Sequence, residues 1–134
     1  MILIVCIDER GGMMFNNRRQ SRDKAVIDRI VEIVQGSKLW LSSYSKALFD
    51  QVTIPLEVDD NFLQKAGNGE FCFVENADLT PHTPKIEKIY IFRWNRHYPA
   101  DYYFPLDLVE YRMIAQSEFI GNSHEKITIE VYEK

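Results

Sequence analysis

The chain has 134 residues, a formal net charge of −4 and a hydrophobic fraction of 46%. This length favours a single domain over residues 1–134, with enough core to fold without disulfides or metals. The negative charge disfavours nucleic acid as a partner, because general attraction to phosphates needs positive charge. Since no run of 18 apolar residues and no leader sequence is visible, we expect a cytoplasmic protein without a membrane helix.

The first fifty residues alternate between the patterns of strands and helices. Residues 1–7 are almost continuously apolar and rich in β-branched side chains, which predicts a strand covered on both faces. A glycine pair ends this run, and residues 13–20 are expected to form a flexible loop. A short buried strand is predicted at 37–42 and a short helix at 43–50.

The helix between these two strands has the most regular pattern in the chain. Ser21 is expected to cap its first turn, Asp23 to place negative charge near its amino end, and Gly36 to end it. Its apolar stripe consists of Val26, Ile27, Ile30, Val31 and Val34. Strand, helix and strand in this order favour an α/β fold with parallel pairing through a right-handed crossover.

The middle of the chain is less informative. Residues 52–54 predict a strand fragment, residues 59–66 one or two helical turns, and residues 70–74 another apolar strand. Residues 75–84 contain two prolines and predict a loop rather than a regular helix.

Two predicted strands frame the last third. Residues 88–94 combine β-branched and aromatic side chains, and residues 127–132 alternate between apolar and polar ones. A long aromatic connection, interrupted by prolines, joins them. Cys6 and Cys72 lie far apart in apolar, strand-like runs, so we predict reduced thiols in the core.

The carboxyl-terminal segments carry a family resemblance. Residues 100–105 read Ala-Asp-Tyr-Tyr-Phe-Pro, and residues 111–119 and 122–125 follow before the closing strand. This order resembles the carboxyl end of dihydrofolate reductase. Near the amino end, residues 5–13 resemble that family's first strand and mobile loop, and residues 38–45 its second strand and phosphate-contacting turn.

The resemblance implies a three-layer α/β fold with a mixed, mostly parallel sheet and an antiparallel carboxyl-terminal strand. The chain is shorter in its middle than members of that family usually are, so we expect the cofactor-binding half to be reduced. In the family, an Arg-Thr pair and a Gly-Gly pair hold the phosphates of NADPH. Residues 42–45 read Ser-Ser-Tyr-Ser and Glu75-Asn76 stands at the second position, so the NADPH site is predicted to be lost.

The family's catalytic acid has one approximate counterpart. Asp23 is the nearest match to the carboxylate that holds the pterin ring, but we favour for it the simpler role of an acid at a helix start. Phe92 stands where the family has a threonine that bonds to this carboxylate. We therefore favour a non-catalytic binding protein, with an NADPH-dependent reductase as an alternative.

Two groups of residues are candidates for binding. Near the helix start, arginines and free backbone amides favour a small anionic ligand between apolar walls, although a solvated loop would use the same residues. These residues are Met14, Phe15, Arg18, Arg19, Ser21, Asp23 and Phe92. An aromatic group suits docking of a protein partner or a second copy of the chain, or else packing under the long connection. Its members are Trp94, Tyr98, Tyr102 and Tyr103.

A weaker resemblance is to short bacterial proteins labelled ribonuclease Z. Such a zinc phosphodiesterase needs a His-x-His-x-Asp-His cluster to hold two metal ions. His82, His97 and His124 are isolated in the sequence, so no metal site is predicted.

Overall fold

A computed structural model describes all 134 residues of the chain. Its centre is a seven-stranded sheet in the order β5-β4-β6-β1-β7-β10-β9. The strands of this sheet are β1 (Ile2–Ile7), β4 (Leu39–Leu41), β5 (Leu56–Val58), β6 (Phe71–Phe73), β7 (Lys88–Arg93), β9 (Arg112–Phe119) and β10 (Ile127–Glu133). A smaller sheet contains β2 (Gly12–Phe15), β3 (Arg18–Arg19) and β8 (Tyr102–Tyr103).

The direction of the strands confirms the predicted fold class. Strand β1 is central and pairs in parallel with β6 and β7, and β4 pairs in parallel with β5 and β6. The carboxyl-terminal strand β10 runs antiparallel to both of its neighbours, β7 and β9. The central position of β1 explains its apolar run, because both of its faces are covered.

Each face of the large sheet has its own hydrophobic core, which gives three layers. Helix α1 (Lys24–Val34) covers one face with Val26, Ile30 and Val34, which pack with Ile4 of β1. The other face carries Leu3 and Val5 and is covered by β2, the short helix α2 (Phe62–Lys65) and the aromatic connection. No helix of the chain is both long enough and apolar enough to cross a membrane.

Residues 13–20 do not form the loop that we expected. They belong to the hairpin of β2 and β3, and the two residues between the strands, Asn16 and Asn17, have φ values of 51° and 60°. Two consecutive positive φ values are typical of the tight turn that suits the twist of a hairpin, and asparagine tolerates them. In the sequence, the Asn16-Asn17 pair therefore indicates a hairpin turn at this place.

The start of α1 also differs from the prediction. Asp23, not Ser21, is the N-cap: its backbone is extended and its side chain accepts a hydrogen bond from the amide of Ala25. The helix ends near Gly36, which has a φ of +81° as expected for a residue just past a helix. The hydroxyl of Ser21 therefore does not cap the helix.

The middle of the chain is short in regular structure. Residues 52–54 are not a strand, since β5 begins at Leu56, and the helix predicted at 43–50 is a 3₁₀ turn at Lys46–Phe49. The loop predicted at 75–84 contains a further 3₁₀ helix, Thr80–Lys85. Between β4 and β6 the chain thus holds only single turns and one three-residue strand.

Candidate functional site

A narrow cleft lies between the β2–β3 hairpin, the start of α1 and the carboxyl ends of β1 and β6. Its volume of about 20 Å³ is enough for about one water molecule. Fourteen residues line it: Cys6, Met13, Arg19, Gln20, Ser21, Arg22, Asp23, Val26, Ile27, Leu48, Phe73, Val74, Glu75 and Trp94.

A wider groove of about 540 Å³ lies beside the cleft, along the first turn of α1 and the residues that follow the 3₁₀ turn at Lys46–Phe49. The cleft and the groove share four lining residues: Arg22, Asp23, Ile27 and Leu48. A ligand in the groove would therefore have the cleft within reach, and Arg22 stands at the border between them.

The Asp23 carboxylate is buried, 5% exposed, and both of its oxygens are hydrogen-bonded. Oδ1 accepts from the amides of Ala25 and Asn122, each at 2.9 Å. Oδ2 accepts from the amide of Ser123 at 2.9 Å, from its hydroxyl at 3.2 Å, and from Nδ1 of His124 at 2.8 Å. This carboxylate holds the start of α1 and the 121–124 loop together.

The hydrogen bonds of Asp23 decide its ionisation. Burial raises the pKa of Asp23, but the bonds from the Asn122 amide, the His124 ring and two further amides lower it by more, so the pKa lies well below its usual range. Asp23 is therefore a carboxylate with its acceptor positions in use. In this structure it has no lone pair in a favourable direction left for a pterin ring.

His124 connects Asp23 to the cleft. Its ring is 4% exposed and stacks on Trp94, with 4.6 Å between ring centroids and 24° between planes. Because the Asp23 carboxylate can only accept, Nδ1 carries a proton and donates to it. On the opposite side of the ring, Nε2 lies 3.0 Å from Oγ of Ser21 and 3.0 Å from the hydroxyl of Tyr98.

A glycine allows the 121–124 loop to wrap around Asp23. A Cβ atom on Gly121 would lie 2.6 Å from Oδ2 of Asp23 and 2.9 Å from the carbonyl oxygen of His124. Real Cβ atoms do not approach polar atoms so closely, so any other residue would push the loop away. Ser21, Asp23 and His124 depend on this close approach for their arrangement.

Arg19 reaches the cleft but is already paired. Its Nε and Nη2 atoms donate to the two carboxylate oxygens of Glu75 at 2.8 and 3.0 Å, and its guanidinium lies over the ring of Tyr44. Glu75 also accepts from the hydroxyl of Ser45 at 2.7 Å. The bidentate pair neutralises Arg19, so this arginine is not free to bind an anion unless Glu75 moves.

The other two arginines near the helix start make no salt bridge. Arg22 is exposed and lines both the cleft and the groove. Arg18 is exposed on the hairpin, beside the Asn16-Asn17 turn, and lines neither cavity. Of the three arginines, Arg22 therefore has the best position for a ligand, and it was not among the predicted site residues.

One polar atom at the cleft lacks a partner. Gln20 donates from Nε2 to Oδ2 of Asp8 at 3.0 Å, which fixes the orientation of its amide, and its Oε1 is buried without a hydrogen bond. A buried unsatisfied acceptor is costly unless a water or a ligand donates to it. The cleft has the volume for such a donor.

The predicted apolar walls lie elsewhere. Met14 is buried in the core on the opposite face of the sheet, Phe15 is exposed near the hairpin turn, and Phe92 packs against Phe119 in the α1 core. Met13, the neighbour of Met14 and a member of the same core, lines the cleft in its place.

The four aromatic residues of the predicted interaction group do not form one exposed surface. Trp94 is 4% exposed under His124, and the hydroxyls of Tyr98 and Tyr102 bond to His124 and to the carbonyl of Ala77. Tyr103 is half exposed. Three of the four side chains are therefore partly or fully buried within the fold.

Besides Arg22, three residues of the site were not identified from the sequence. His124 is 101 residues from its carboxylate partner, and no local pattern links them. Cys6 looked like any core thiol, yet it lines the cleft. Glu75 was recognised only as a negative charge, and its pairing with Arg19 depends on the hairpin.

The ends of β4 and β6, where the sequence resemblance implied a phosphate site, carry two serines and a glutamate. Ser42 and Ser45 follow β4 and bond to each other, and Glu75 after β6 presents a carboxylate instead of glycine amides. Because Glu75 and Arg19 neutralise each other, this end of the sheet offers no free positive charge to a pyrophosphate. No group of three or more His, Cys, Asp or Glu side chains is arranged to hold a metal ion.

No protein-family model and no curated protein sequence matches the chain. Its structure is similar to that of dihydrofolate reductase from Enterococcus faecalis complexed with NADP(H) and RAB-propyl, with a TM-score of 0.67 and 13% sequence identity. The similarity covers 98% of this chain and 94% of that one. It gives no support to the resemblance to ribonuclease Z. In agreement with its carboxyl-terminal motifs, the chain therefore has a dihydrofolate reductase-like fold.

Proposed function

We propose that this protein binds a small anionic molecule at the start of α1, and that it is not an NADPH-dependent reductase. The observation that carries the proposal is the position of Arg22, which has no acidic partner and lines both the cleft and the groove. An exposed arginine at the border of two cavities is available to a carboxylate or phosphate in either.

Backbone groups beside Arg22 favour the same ligand. The amides of Ser21, Arg22 and Asp23 donate no hydrogen bond within the chain. They precede the amino end of an 11-residue helix, where the helix dipole favours negative charge. The charge of Asp23 opposes an anion, and the positive ends of its hydrogen-bond donors offset part of that charge. Lys24, by contrast, is paired with Asp28.

The sizes of the two cavities limit how the ligand can lie. The cleft admits only a small group, whereas the groove of about 540 Å³ is within the range of small-molecule sites. We infer that the body of the ligand lies in the groove along Ile27, Leu48 and Val52. A small polar end reaches towards the cleft, where Oε1 of Gln20 can accept a hydrogen bond.

The two alternatives have less support. A reductase would need phosphates held beside the carboxylate of Glu75 and an acid with a free oxygen at Asp23. An interaction module would need an exposed aromatic surface, and of the four aromatic residues only Tyr103 is exposed by half or more. Binding at the start of α1 needs no such rearrangement.

Calorimetric titration tests the proposal. We would titrate inorganic phosphate, nucleotides, pterins and phosphosugars into the wild-type protein, Arg22→Ala and, as the matched control, Arg18→Ala. Loss of a charged hydrogen bond is worth about 1.5–3 kcal/mol, so Arg22→Ala should weaken binding by about 10- to 150-fold. Arg18→Ala should bind as the wild type does. Equal losses in both variants, or no binding of any compound, would contradict the proposal.

A further inference from the structure

We propose that Ser21, His124 and Asp23 form a nucleophilic relay that hydrolyses a short-chain acyl ester or thioester. This proposal rests on the proposed function, because the substrate would occupy the same ligand site. It goes further by assigning a reaction to that site.

The three side chains have the contacts that a serine nucleophile needs. Oγ of Ser21 lies 3.0 Å from Nε2 of His124, and Nδ1 of the same ring lies 2.8 Å from Oδ2 of Asp23. With the Nδ1 proton donated to the carboxylate, the neutral ring has its lone pair on Nε2, directed at the serine hydroxyl. Nucleophile, base and orienting carboxylate are thus in hydrogen-bond contact in the required order.

The base and the carboxylate are held rigidly. Trp94 covers one face of the imidazole, and the Asp23 carboxylate is fixed by the amides of Ala25, Asn122 and Ser123. Both groups are nearly fully buried, so a protonated imidazole formed during the reaction would be stabilised by a carboxylate that water does not screen.

Ser21 and Asp23 both line the cleft, but both oxygens of Asp23 are already hydrogen-bonded, so Ser21 is the one of the three that can meet a substrate as a nucleophile. Ser21 lines the cleft, whereas His124 stands behind it and lines neither cavity. The cleft walls include Met13, Phe73 and Trp94, which suit an apolar group, and the volume admits no more than about the methyl end of an acetyl group. An anionic leaving group would lie in the groove beside Arg22.

Donors for the oxyanion are available beside the nucleophile. The amide of the residue that follows a catalytic serine commonly serves this purpose, and the amides of Arg22 and Asp23 have no partner within the chain. Their place before the amino end of α1 adds the helix dipole to the same negative charge.

The chemical steps balance as follows. Oγ of Ser21 forms a bond to the acyl carbon while its proton moves to Nε2 of His124. The bond from the acyl carbon to the leaving oxygen or sulfur breaks, and the proton passes to that leaving group. Water then adds to the acyl carbon and gives one proton to His124. The bond between the acyl carbon and Oγ breaks, His124 returns the proton to Oγ, and a carboxylic acid leaves.

Tyr98 sets the resting state of the relay. Its hydroxyl lies 3.0 Å from Nε2 of His124 and 3.4 Å from Oγ of Ser21, so it competes with the serine for the lone pair of the base. Removing that hydroxyl leaves Ser21 as the single partner of Nε2. Tyr98→Phe should therefore keep or raise the reactivity of Ser21. If the hydrogen bonds among these residues were only structural, the loss of the hydroxyl would weaken them without any gain in the reactivity of Ser21.

Labelling with a fluorophosphonate, which modifies activated serines, tests the relay. The wild-type protein should gain one adduct by mass spectrometry, mapped by digestion to Ser21. Ser21→Ala and His124→Gln should gain none, and Ser43→Ala, which removes an exposed serine, should be labelled as the wild type. Circular dichroism would show that each variant is folded. An unlabelled wild type, or equal labelling of folded Ser21→Ala, would overturn the proposal.

Turnover is measured with p-nitrophenyl acetate, an uncharged short-chain ester. Ser21→Ala should lower kcat/KM by about 100-fold or more, since the loss of a nucleophile or its base removes at least that factor. Arg18→Ala, which changes an exposed residue that lines neither cavity, is the control and should leave the rate unchanged. Anion binding by Ser21→Ala is measured separately by calorimetric titration. If the relay is wrong but the ligand site is right, the protein binds anions and Ser21 is inert. If the ligand site is wrong but the relay is right, the protein hydrolyses the ester and binds no anion.

Discussion

Asp23 and His124 lie 101 residues apart in sequence and share a buried hydrogen bond of 2.8 Å between Oδ2 and Nδ1. The bond joins the start of the single long helix to the loop that precedes the last strand. It therefore closes the amino-terminal part of the fold against the carboxyl-terminal part. The same two residues place Ser21 at the cleft.

Asp23→Asn should destabilise the protein strongly. An amide presents one oxygen where the carboxylate accepts from five donors, and its NH₂ group would face donors. Because breaking a buried, hydrogen-bonded ionic network costs about 3–5 kcal/mol, we expect a loss of about that size in the free energy of unfolding. Urea denaturation measures it. Asp28→Asn on the exposed side of the same helix is the control and should change stability little; equal losses would contradict the role of Asp23.

Stability should fall as the pH drops below about 4. The pKa values of Asp8 and Asp23 are both lowered in the folded protein: burial raises each, and hydrogen bonds from backbone amides outweigh it. The unfolded chain has ordinary pKa values near 3.9 and so binds protons first. The contribution of both groups is therefore complete above that value and is lost progressively as the pH falls further. Urea midpoints at pH 7, 5, 4 and 3 measure the loss, which should be smaller in Asp23→Asn. An unchanged midpoint down to pH 3 would argue against ionised Asp8 and Asp23.

Gly121→Ala should disrupt the loop that carries His124. The added Cβ would meet Oδ2 of Asp23 at 2.6 Å, and neither neighbour can retreat without giving up a hydrogen bond. We expect a loss of about 1–3 kcal/mol, the usual range for a steric insertion into a packed site. Gly67→Ala is the matched control, because its Cβ would make only an ordinary contact at 3.5 Å. Thermal unfolding would show the difference, and similar shifts in both variants would refute the close approach.

Glu75→Gln should increase affinity for anions. The substitution keeps the shape of the side chain but removes the charge that neutralises Arg19. Arg19 would then add a positive charge to the cleft beside Arg22, so that inorganic phosphate should bind about tenfold more tightly. Calorimetric titration measures this, with Glu118→Gln, an exposed residue on β9, as control. Unchanged phosphate affinity would mean that Arg19 does not reach the bound anion.

Strands and helices could largely be predicted from the sequence, because they depend on local patterns. The apolar run of β1 and the stripe of α1 each reflect the layers that cover them. Strand β10 alternates in sequence, yet its polar Thr128 and Glu130 are buried like its apolar residues. Predictions failed where a local signal was misread, as at the Asn16-Asn17 turn, or where several short turns replaced regular elements, as in the middle of the chain. Ser21 and Asp23 were both plausible caps, and the choice between them depended on a partner that the sequence does not identify.

The sequence by itself determined the layers, the mixed sheet with its antiparallel last strand, and the resemblance to dihydrofolate reductase. Periodicity predicted the strands and the long helix, whereas the layers and the antiparallel last strand were implied by the resemblance, which rests on motifs in a fixed order. Only the tertiary structure decided which charges are free and which are paired. Arg19 is neutralised by Glu75 and Asp23 is held by the 121–124 loop, while Arg22 and Ser21 face the cavities. The physical reason is that ion pairs and hydrogen bonds act over a few ångströms in space, and these partners lie tens to a hundred residues apart along the chain.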